Sequence, residues 1–151
     1  MSIFHSINTS ASALTSQRLR MDTISSNIAN AETTRATINE DGEYEPYRRK
    51  MVVFDQNEQR FSSHLQAASN RTQTSGSGVR VSEITEDDEP FKLAFNPNHP
   101  DANEEGYVQL PNVDPLKEMV DLMSATRSYE ANVTSLNASK SMLMKALEIG
   151  K

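Results

Sequence analysis

The 151-residue sequence contains no cysteine and no tryptophan. Without cysteine there are no disulfide bonds and no thiolate catalysis, although this absence does not fix the cellular compartment. Hydrophobic residues make up 36% of the chain and aromatic residues 6%, which is lean for a self-sufficient core of this length. We therefore expect the chain to gain part of its buried surface from partners.

Long apolar runs are also absent. No stretch approaches the roughly twenty apolar residues of a transmembrane helix. The N-terminus, MSIFHSINTSASALTSQRLRM, lacks the charged region followed by an apolar region that marks a cleavable secretory signal. We expect no transmembrane segment and no cleavage of the N-terminus.

Positive charge is scarce in the middle of the chain. Residues 82–106 contain eight acidic residues and one lysine, a net charge of −7, whereas the whole chain carries −6. An acidic chain lacks the basic face that nucleic acid requires, so nucleic acid is not expected as a partner. The four acids at 86–89 indicate a solvated turn rather than a calcium loop, because the ligand spacing and turn glycine of such a loop are missing.

Residues that could carry catalysis or hold a metal are not arranged to do so. His5, His64 and His99 are far apart and show no metal-ligand spacing. The sequence has neither a Gly-x-Ser-x-Gly elbow nor a phosphate loop. The basic triplet at 48–50 predicts a strand edge that faces solvent or an acidic neighbour. The sequence therefore implies no enzyme activity, cofactor or metal.

Both ends of the chain carry apolar residues that recur every seven positions, a pattern typical of paired helices. Residues 2–31 and 114–149 are the predicted helices, the second beginning with Asp114 as N-cap and Pro115 at the first helical position. The N-terminal apolar stripe comprises Ile7, Leu14, Met21, Ile24, Ile28 and Ala31, and the C-terminal stripe comprises Met119, Leu122, Tyr129, Val133, Leu136, Leu143 and Leu147. Because the other faces are rich in Ser, Thr and Asn, neither helix should be stable alone. We expect the helices to pair as an antiparallel coiled coil, with Ser139 off the stripe and facing water.

The region between the helices favours strands. The candidate strands are 45–56, 78–84, 90–95 and 106–110, and residues 69–78 indicate a flexible turn. The predicted fold is mainly α with a small antiparallel β insertion. The predicted domains are 1–35 for the N-terminal helix, 36–112 for the insertion with its acidic segment 82–106, and 113–151 for the C-terminal helix.

Two asparagines stand beside the apolar edge where the first helix ends. Asn27 and Asn30 lie in the stretch SSNIANAETT, although asparagine is a mediocre helix former. One hypothesis is that they hydrogen-bond backbone groups near the turn or in a neighbouring subunit; the other is that they face water. For the whole chain, two function classes fit: a structural subunit that completes its packing between copies, and an adaptor that presents a helical hairpin to a stoichiometric partner.

Both terminal segments match a known pattern. The stretch QRLRMDTISSNIANAETT at 17–34 resembles the N-terminal signature of the flagellar rod, hook and hook-associated proteins, and residues 118–151 are similar to their C-terminal segment. The signature residues are Asn27, Ile28, Ala29, Asn30, Arg127, Tyr129, Glu130, Ala131 and Asn132. The stretches 47–54 and 98–115 narrow the resemblance to a proximal rod protein, although Glu32 replaces a common Asn and Thr33-Thr34-Arg35 replaces the hook-type Thr-Pro-Gly.

The resemblance implies a structural role without a cofactor. A protein of this family would be exported by the flagellar type III apparatus and would assemble helically in the basal body with other rod proteins and copies of itself. The resulting rod would transmit torque from motor to hook.

Overall fold

The computed structural model describes residues 3–39, 42–57 and 78–149. The first helix, α1, spans Ile3–Ala29, and the second, α2, spans Pro115–Ile149. The strands between them are β1 (Thr37–Ile38), β2 (Tyr44–Glu45), β3 (Lys50–Gln56), β4 (Val79–Glu86), β5 (Lys92–Phe95) and β6 (Tyr107–Leu110). The predicted class, mainly α with a β insertion, is confirmed, and the two long helices pack against each other. Among the described residues, no helix is apolar enough over a sufficient length to span a bilayer.

Polar side chains mark the inner ends of both helices. The Asn30 side-chain amide donates to the Ser26 carbonyl at 2.9 Å, and the backbone amide of Thr33 donates to the Asn30 carbonyl. The Thr33 bond satisfies a carbonyl group that the end of α1 would otherwise leave unpaired, whereas the Ser26 carbonyl also accepts from the Asn30 backbone amide at 3.1 Å. At the start of α2, the Asp114 carboxylate accepts from the Leu116 amide at 3.0 Å, which is the N-cap geometry that the sequence predicts.

The strands form three separate two-stranded sheets, β1–β2, β3–β4 and β5–β6. In β5–β6, an antiparallel pair, Phe95 lies opposite Tyr107 and Ala94 lies opposite Val108. The predicted strand 45–56 is too long, because β3 begins only at Lys50. The β1–β2 pair was not predicted, since two-residue strands are too short to show an alternating pattern. The predicted flexible turn at 69–78 lies outside the described residues except for Gly78.

The chain divides into two compact units, and each contains part of both helices. One unit comprises residues 1–19, 53–83 and 125–151, and the other comprises 20–52 and 84–124. We call them the first unit and the second unit, respectively. The three-part division at residues 35 and 112 stays a prediction.

The buried residues of the described ranges are largely small or polar. Apolar side-chain burial is confined to Ile24, Pro46, Tyr47, Val108, Pro111, Val113 and Ala125. The buried polar side chains are Ser10, Ser16, Thr23, Asn27, Asn112, Glu118 and Ser139. Because a buried polar group is costly unless it is hydrogen-bonded, the partners of these side chains are central to the structure.

Candidate functional site

Asn27 lies at the centre of a buried polar cluster in the second unit. It is 1% exposed, and its carbonyl oxygen accepts from the Tyr47 hydroxyl at 3.0 Å and from the Lys50 backbone amide at 3.0 Å. Its side-chain NH₂ donates to the Lys50 carbonyl at 2.9 Å and to the Glu118 carboxylate at 3.0 Å. The side chain therefore binds the start of β3 as one more strand would, and also holds α2. This geometry answers the question of Asn27: it bonds backbone rather than facing water.

Glu118 contributes a carboxylate to this cluster, and it is fully buried. Its second carboxylate oxygen accepts from the Arg49 guanidinium at 2.6 Å. The same guanidinium contacts Asp87 at 3.2 Å and Asp121 at 3.6 Å. Arg49 thus joins the segment before β3 to α2 and to the segment after β4. A buried carboxylate is tolerated here because it is both paired and hydrogen-bonded.

Asn112 and Asp87 complete the cluster on the side of the acidic segment. The Asn112 carbonyl oxygen accepts from the Arg49 backbone amide at 2.7 Å, and its NH₂ donates to the carbonyls of Asp87 and Glu89, each at 3.1 Å. The Asp87 amide in turn donates to the Arg49 carbonyl. These bonds tie Arg49, which directly precedes β3, to Asp87 and Glu89, which follow β4.

The charges within the cluster stabilise one another. The Glu89 backbone amide and the Arg49 guanidinium hold the pKa of Asp87 below its ordinary value, against the opposing effect of burial. Burial alone would lower the pKa of Arg49, but its hydrogen bonds to Glu118 and Asp87 raise that pKa instead. Both groups therefore remain ionised near neutral pH.

The basic triplet does not form a bare strand edge. Arg49 faces acidic neighbours, as one of the two predicted alternatives has it, whereas Arg48 lies over the Phe91 ring at 4.4 Å and Lys50 lies near the Tyr47 ring at 5.7 Å. The acidic run at 86–89 is only partly the solvated turn that was expected. Its other three side chains are exposed, but Asp87 is largely buried against Arg49.

The loop before β6 is held to the segment that follows α1 by a second ionic contact. Asp101 accepts from Thr34 at 2.9 Å and from the Nε of Arg35 at 2.7 Å. The Arg35 hydrogen bond lowers the pKa of Asp101. Thr34 and Arg35 lie where the sequence departs from the hook-type pattern, so this departure supplies a specific contact.

In the first unit, two serines of α1 bind the first residue of β4. The Ser12 hydroxyl accepts from the Val79 amide at 3.1 Å, and the Ser16 hydroxyl contacts the Val79 carbonyl at 3.3 Å. Gly78 makes this approach possible, because a Cβ at that position would lie 2.3 Å from the Ser12 hydroxyl oxygen. The serine-rich face of α1 is therefore a docking surface for a strand.

Along α2, the most buried positions form a line beside the predicted stripe. Glu118, Ala125 and Ser139 are buried, and Asn132 between them is half-buried. These positions are seven residues apart or a multiple of seven, and they alternate with Leu122, Tyr129 and Leu136 in the three–four spacing of a coiled coil. Sequence reasoning missed this line because its members are small or polar.

The residues of the two predicted apolar stripes fall into three groups by exposure. Ile24 is buried, whereas Met119 and Leu147 are 54% and 70% exposed within this chain. The remainder are half-buried: Ile7, Leu14, Met21, Ile28, Ala31, Leu122, Tyr129, Val133, Leu136 and Leu143. Their role in packing and assembly stays a prediction.

The expectation for Ser139 was wrong. The side chain is 5% exposed rather than facing water, because it lies three residues after Leu136 and so continues the buried line. A hydroxymethyl group fits where two helices approach closely, a position that a larger side chain would obstruct.

The remaining signature residues lie mostly at the helix surface. Ala29, Arg127, Glu130 and Ala131 are exposed in this chain. The Asn132 side chain is half-buried and donates to the Ser128 carbonyl at 2.8 Å. The structure therefore gives a clear intrachain role to both asparagines of the first segment and a local one to Asn132.

Four members of the cluster were missed as site residues: Arg49, Asp87, Asn112 and Glu118. Glu118 offered one usable signal, since a lone acid on the inner line of a heptad pattern requires a cationic partner. Among the described residues, no group of three or more acidic or histidine side chains is placed to hold a metal ion.

Comparisons with known proteins agree at both ends of the chain. A family model described as flagella basal body rod protein matches residues 7–37, and one described as flagellar basal body rod FlgEFG protein C-terminal matches residues 104–149. The chain is 63% identical to the flagellar basal-body rod protein FlgC of Bacillus subtilis over the full length of both. It is 44% identical to FlgC of Borreliella burgdorferi, over 99% of this chain and 98% of the relative, and 41% identical to FlgC of Yersinia enterocolitica over the full length of both.

Proposed function

This chain belongs to the FlgC family of flagellar basal-body rod proteins, and from that premise we propose how its geometry serves the rod. The chain is a structural subunit of the basal body, and the adaptor alternative is not favoured. We propose that it assembles helically with other rod proteins and with copies of itself, as part of the shaft that carries torque from motor to hook. Its role is mechanical rather than catalytic.

The observation that carries the assembly proposal is an exposed apolar face on α2. Leu116, Met119, Val120 and Met123 are each more than half exposed, and their spacing places them on one side of the first turns of α2. The opposite side of these turns carries the buried Glu118 and packs within the chain. The apolar side is left exposed, and such a face is typical of a surface that a neighbouring subunit covers.

The polar cluster supports the mechanical part of the proposal. A shaft that transmits torque needs subunits whose segments do not shift against one another. In the second unit, directional hydrogen bonds from Asn27 and Arg49 hold α1, α2 and β3 in one relative position. Apolar contacts are not directional and would fix that position less closely.

Electron microscopy of isolated basal bodies with this protein labelled tests the assignment directly. We expect label along the rod at its proximal part, between the motor and the distal shaft. Label confined to the cytoplasm, or absence of the protein from purified basal bodies, would contradict the proposed role.

We further propose export by the flagellar type III apparatus without cleavage, directed by the N-terminal segment. Assembly of the family outside the cytoplasmic membrane supports this proposal. Deletion of residues 2–20 should retain the protein in the cell. The matched control replaces Glu86, Asp88 and Glu89 with their amides; it spares Asp87, which is part of the cluster, and should leave secretion unchanged. Secretion of the truncated chain would contradict the proposal.

A further inference from the structure

The β5–β6 hairpin presents an apolar surface with an acidic edge. Side chains of an antiparallel pair alternate between faces, and here one face buries Val108 while the other exposes Leu93, Phe95 and Tyr107. Phe95 and Tyr107 pack edge to face with ring centroids 5.4 Å apart. Leu93 and Phe95 are each about two-thirds exposed, at 66% and 67%. We call these three residues the hairpin patch.

Acidic residues border the hairpin patch. Glu104 and Glu105 are exposed at the hairpin end next to Tyr107, and they belong to the segment 82–106 with its net charge of −7. Gly106 lies between these glutamates and Tyr107 in the sequence, and its backbone approaches Phe95 so closely that a Cβ at Gly106 would lie 3.1 Å from the ring. The backbone of the hairpin end therefore lies close against the Phe95 ring, and the two exposed glutamates directly precede Gly106 in the sequence.

The C-terminal turns of α2 carry the complementary features. Lys140, Met144 and Leu147 recur at i, i+4 and i+7, so they share one helix face, and all three are exposed. A shallow depression lies on this face, lined by Asn137, Lys140, Ser141, Met144 and Lys145. We call Lys140, Met144 and Leu147 the tail patch; the described residues 137–149 carry two lysines against one glutamate.

We propose that the hairpin patch of one copy docks on the tail patch of a second copy of this chain. Methionine sulfur packs favourably against aromatic rings, which suits Met144 to the Phe95–Tyr107 pair, and Lys140 is the cation for Glu104 and Glu105. The occupant is a second copy because both complementary surfaces belong to the same sequence. This inference rests on the proposed function, and it names the self-contact of that assembly.

The contact is heterologous, because it joins two different surfaces. A heterologous contact that does not close into a ring propagates as an open helix, which is the arrangement that a rod requires. Each copy offers one patch of each kind, so every contact leaves a free hairpin at one end and a free tail at the other. A single contact between two patches of three residues each is weak, and it gains strength from the other contacts of the assembled rod.

The absence of native cysteine permits a direct test by cross-linking. The variant Tyr107→Cys/Met144→Cys carries one thiol in each patch, and disulfide formation requires Cα atoms within about 7 Å. Mild oxidation of basal bodies that contain this variant should give a ladder of dimer, trimer and higher species on a non-reducing gel. Each single-cysteine variant should remain monomeric, because a heterologous contact never brings two identical positions together.

Charge reversal gives an independent readout. Glu105→Lys and Lys140→Glu should each reduce the ladder yield of the double-cysteine chain roughly fivefold or more, and their combination should restore it. Glu43→Lys, at an exposed position in the β1–β2 turn, is the control and should leave the ladder unchanged. No ladder, a dimer from either single-cysteine variant, or failure of the combined reversal to restore cross-linking overturns the inference.

The test separates this inference from the proposed function. If the cysteine variants enter basal bodies and support motility but give no ladder, the self-contact is wrong and the rod assignment stands. If the unmodified protein is itself missing from basal bodies, the rod assignment fails.

Discussion

The side-chain amide of Asn27 donates a hydrogen bond to the Glu118 carboxylate at 3.0 Å, although 91 residues separate them in sequence. Both side chains are almost completely buried. The bond connects the last turns of α1 to the first turns of α2, so it fixes the end of the helix pair from which the β insertion departs.

We expect Asn27→Ala to destabilise the protein by about 2–4 kcal/mol, because it removes the side-chain partner of the Lys50 amide, the Lys50 carbonyl and one oxygen of Glu118. Urea unfolding followed by circular dichroism measures this loss. Asn30→Ala is the matched control and should cost about 1 kcal/mol or less, since that amide makes an exposed local bond to Ser26. Equal costs for the two variants would contradict the central role of Asn27.

Removal of the Arg49 side chain should be more damaging than neutralisation of Glu118. In Arg49→Met, the buried carboxylate of Glu118 loses its cation, a change that typically costs about 3–5 kcal/mol. In Glu118→Gln, Arg49 keeps Asp87 and Asp121 as partners, and we expect a loss of about 1–2 kcal/mol.

The double variant Arg49→Met/Glu118→Gln should be less destabilised than the sum of the single variants, because the side chain at position 118 is then neutral and no longer needs the cation that the first change removes. Unfolding free energies of all four proteins close this cycle. Simple additivity would show that the ion pair does not act as a unit.

Gly78 should resist substitution because the Ser12 side chain leaves no room for a Cβ at this position. Gly78→Ala places a methyl group against the Ser12 hydroxyl and should cost about 1–3 kcal/mol. That cost should fall in a Ser12→Ala background, where the hydroxyl is gone. Gly42→Ala is the control: Gly42 has a φ of +84° with no atom within 4 Å of the added Cβ, so its backbone strain should be the same in either background.

Acid should weaken the fold through Asp87 and Asp101. A carboxyl group whose pKa is lowered by folding stabilises the native state above its unfolded pKa of about 4, and the stabilisation is lost as the pH falls through the lower folded value. For Asp87 the causes are the Glu89 amide and then Arg49; for Asp101 the first cause is Arg35. Urea midpoints measured from pH 7 to pH 3 should therefore decline.

Asp87→Asn should reduce the size of that decline, since the variant has no proton to take up at this position. Asp88→Asn, at the exposed neighbouring position, should decline as the unmodified protein does. If Asp87→Asn loses stability with acid as steeply as the control, the ionised form of Asp87 does not stabilise the fold.

The helices and most strands were predictable because their signals are local. Heptad spacing around Leu14 and Leu136, the N-cap at Asp114 and the alternation in β5–β6 each extend over only a few residues. The candidate site was not predictable in the same way. Arg49 and Glu118 are 69 residues apart, and no local pattern pairs one basic residue with one of many acids.

Asn27 was identified as unusual, but its partners could not be named. A buried asparagine shows in a sequence only as a polar residue at an apolar position, which is equally typical of an exposed turn. The buried line through Ala125 and Ser139 was missed for a related reason. Small residues add little to a hydrophobic pattern, yet they are the residues that allow two helices to approach closely.

Ser139 provides the sharpest test of the helix pairing, because a matched serine stands one turn away. Ser139 is buried and Ser135 is exposed on the same helix, so the same substitution places a carboxylate in the contact or in water. Ser139→Asp should abolish rod incorporation and motility, since an unpaired buried charge costs several kcal/mol and the native fold is only marginally stable. Leu136→Asp, at the half-buried neighbouring position, should have a similar or somewhat smaller effect, and Ser135→Asp should be tolerated. Swimming assays, immunoblots of purified basal bodies and steady-state expression levels separate a failure of assembly from a loss of protein. If cells with Ser139→Asp swim normally while those with Ser135→Asp do not, the face of α2 that packs on α1 has been assigned to the wrong side of the helix.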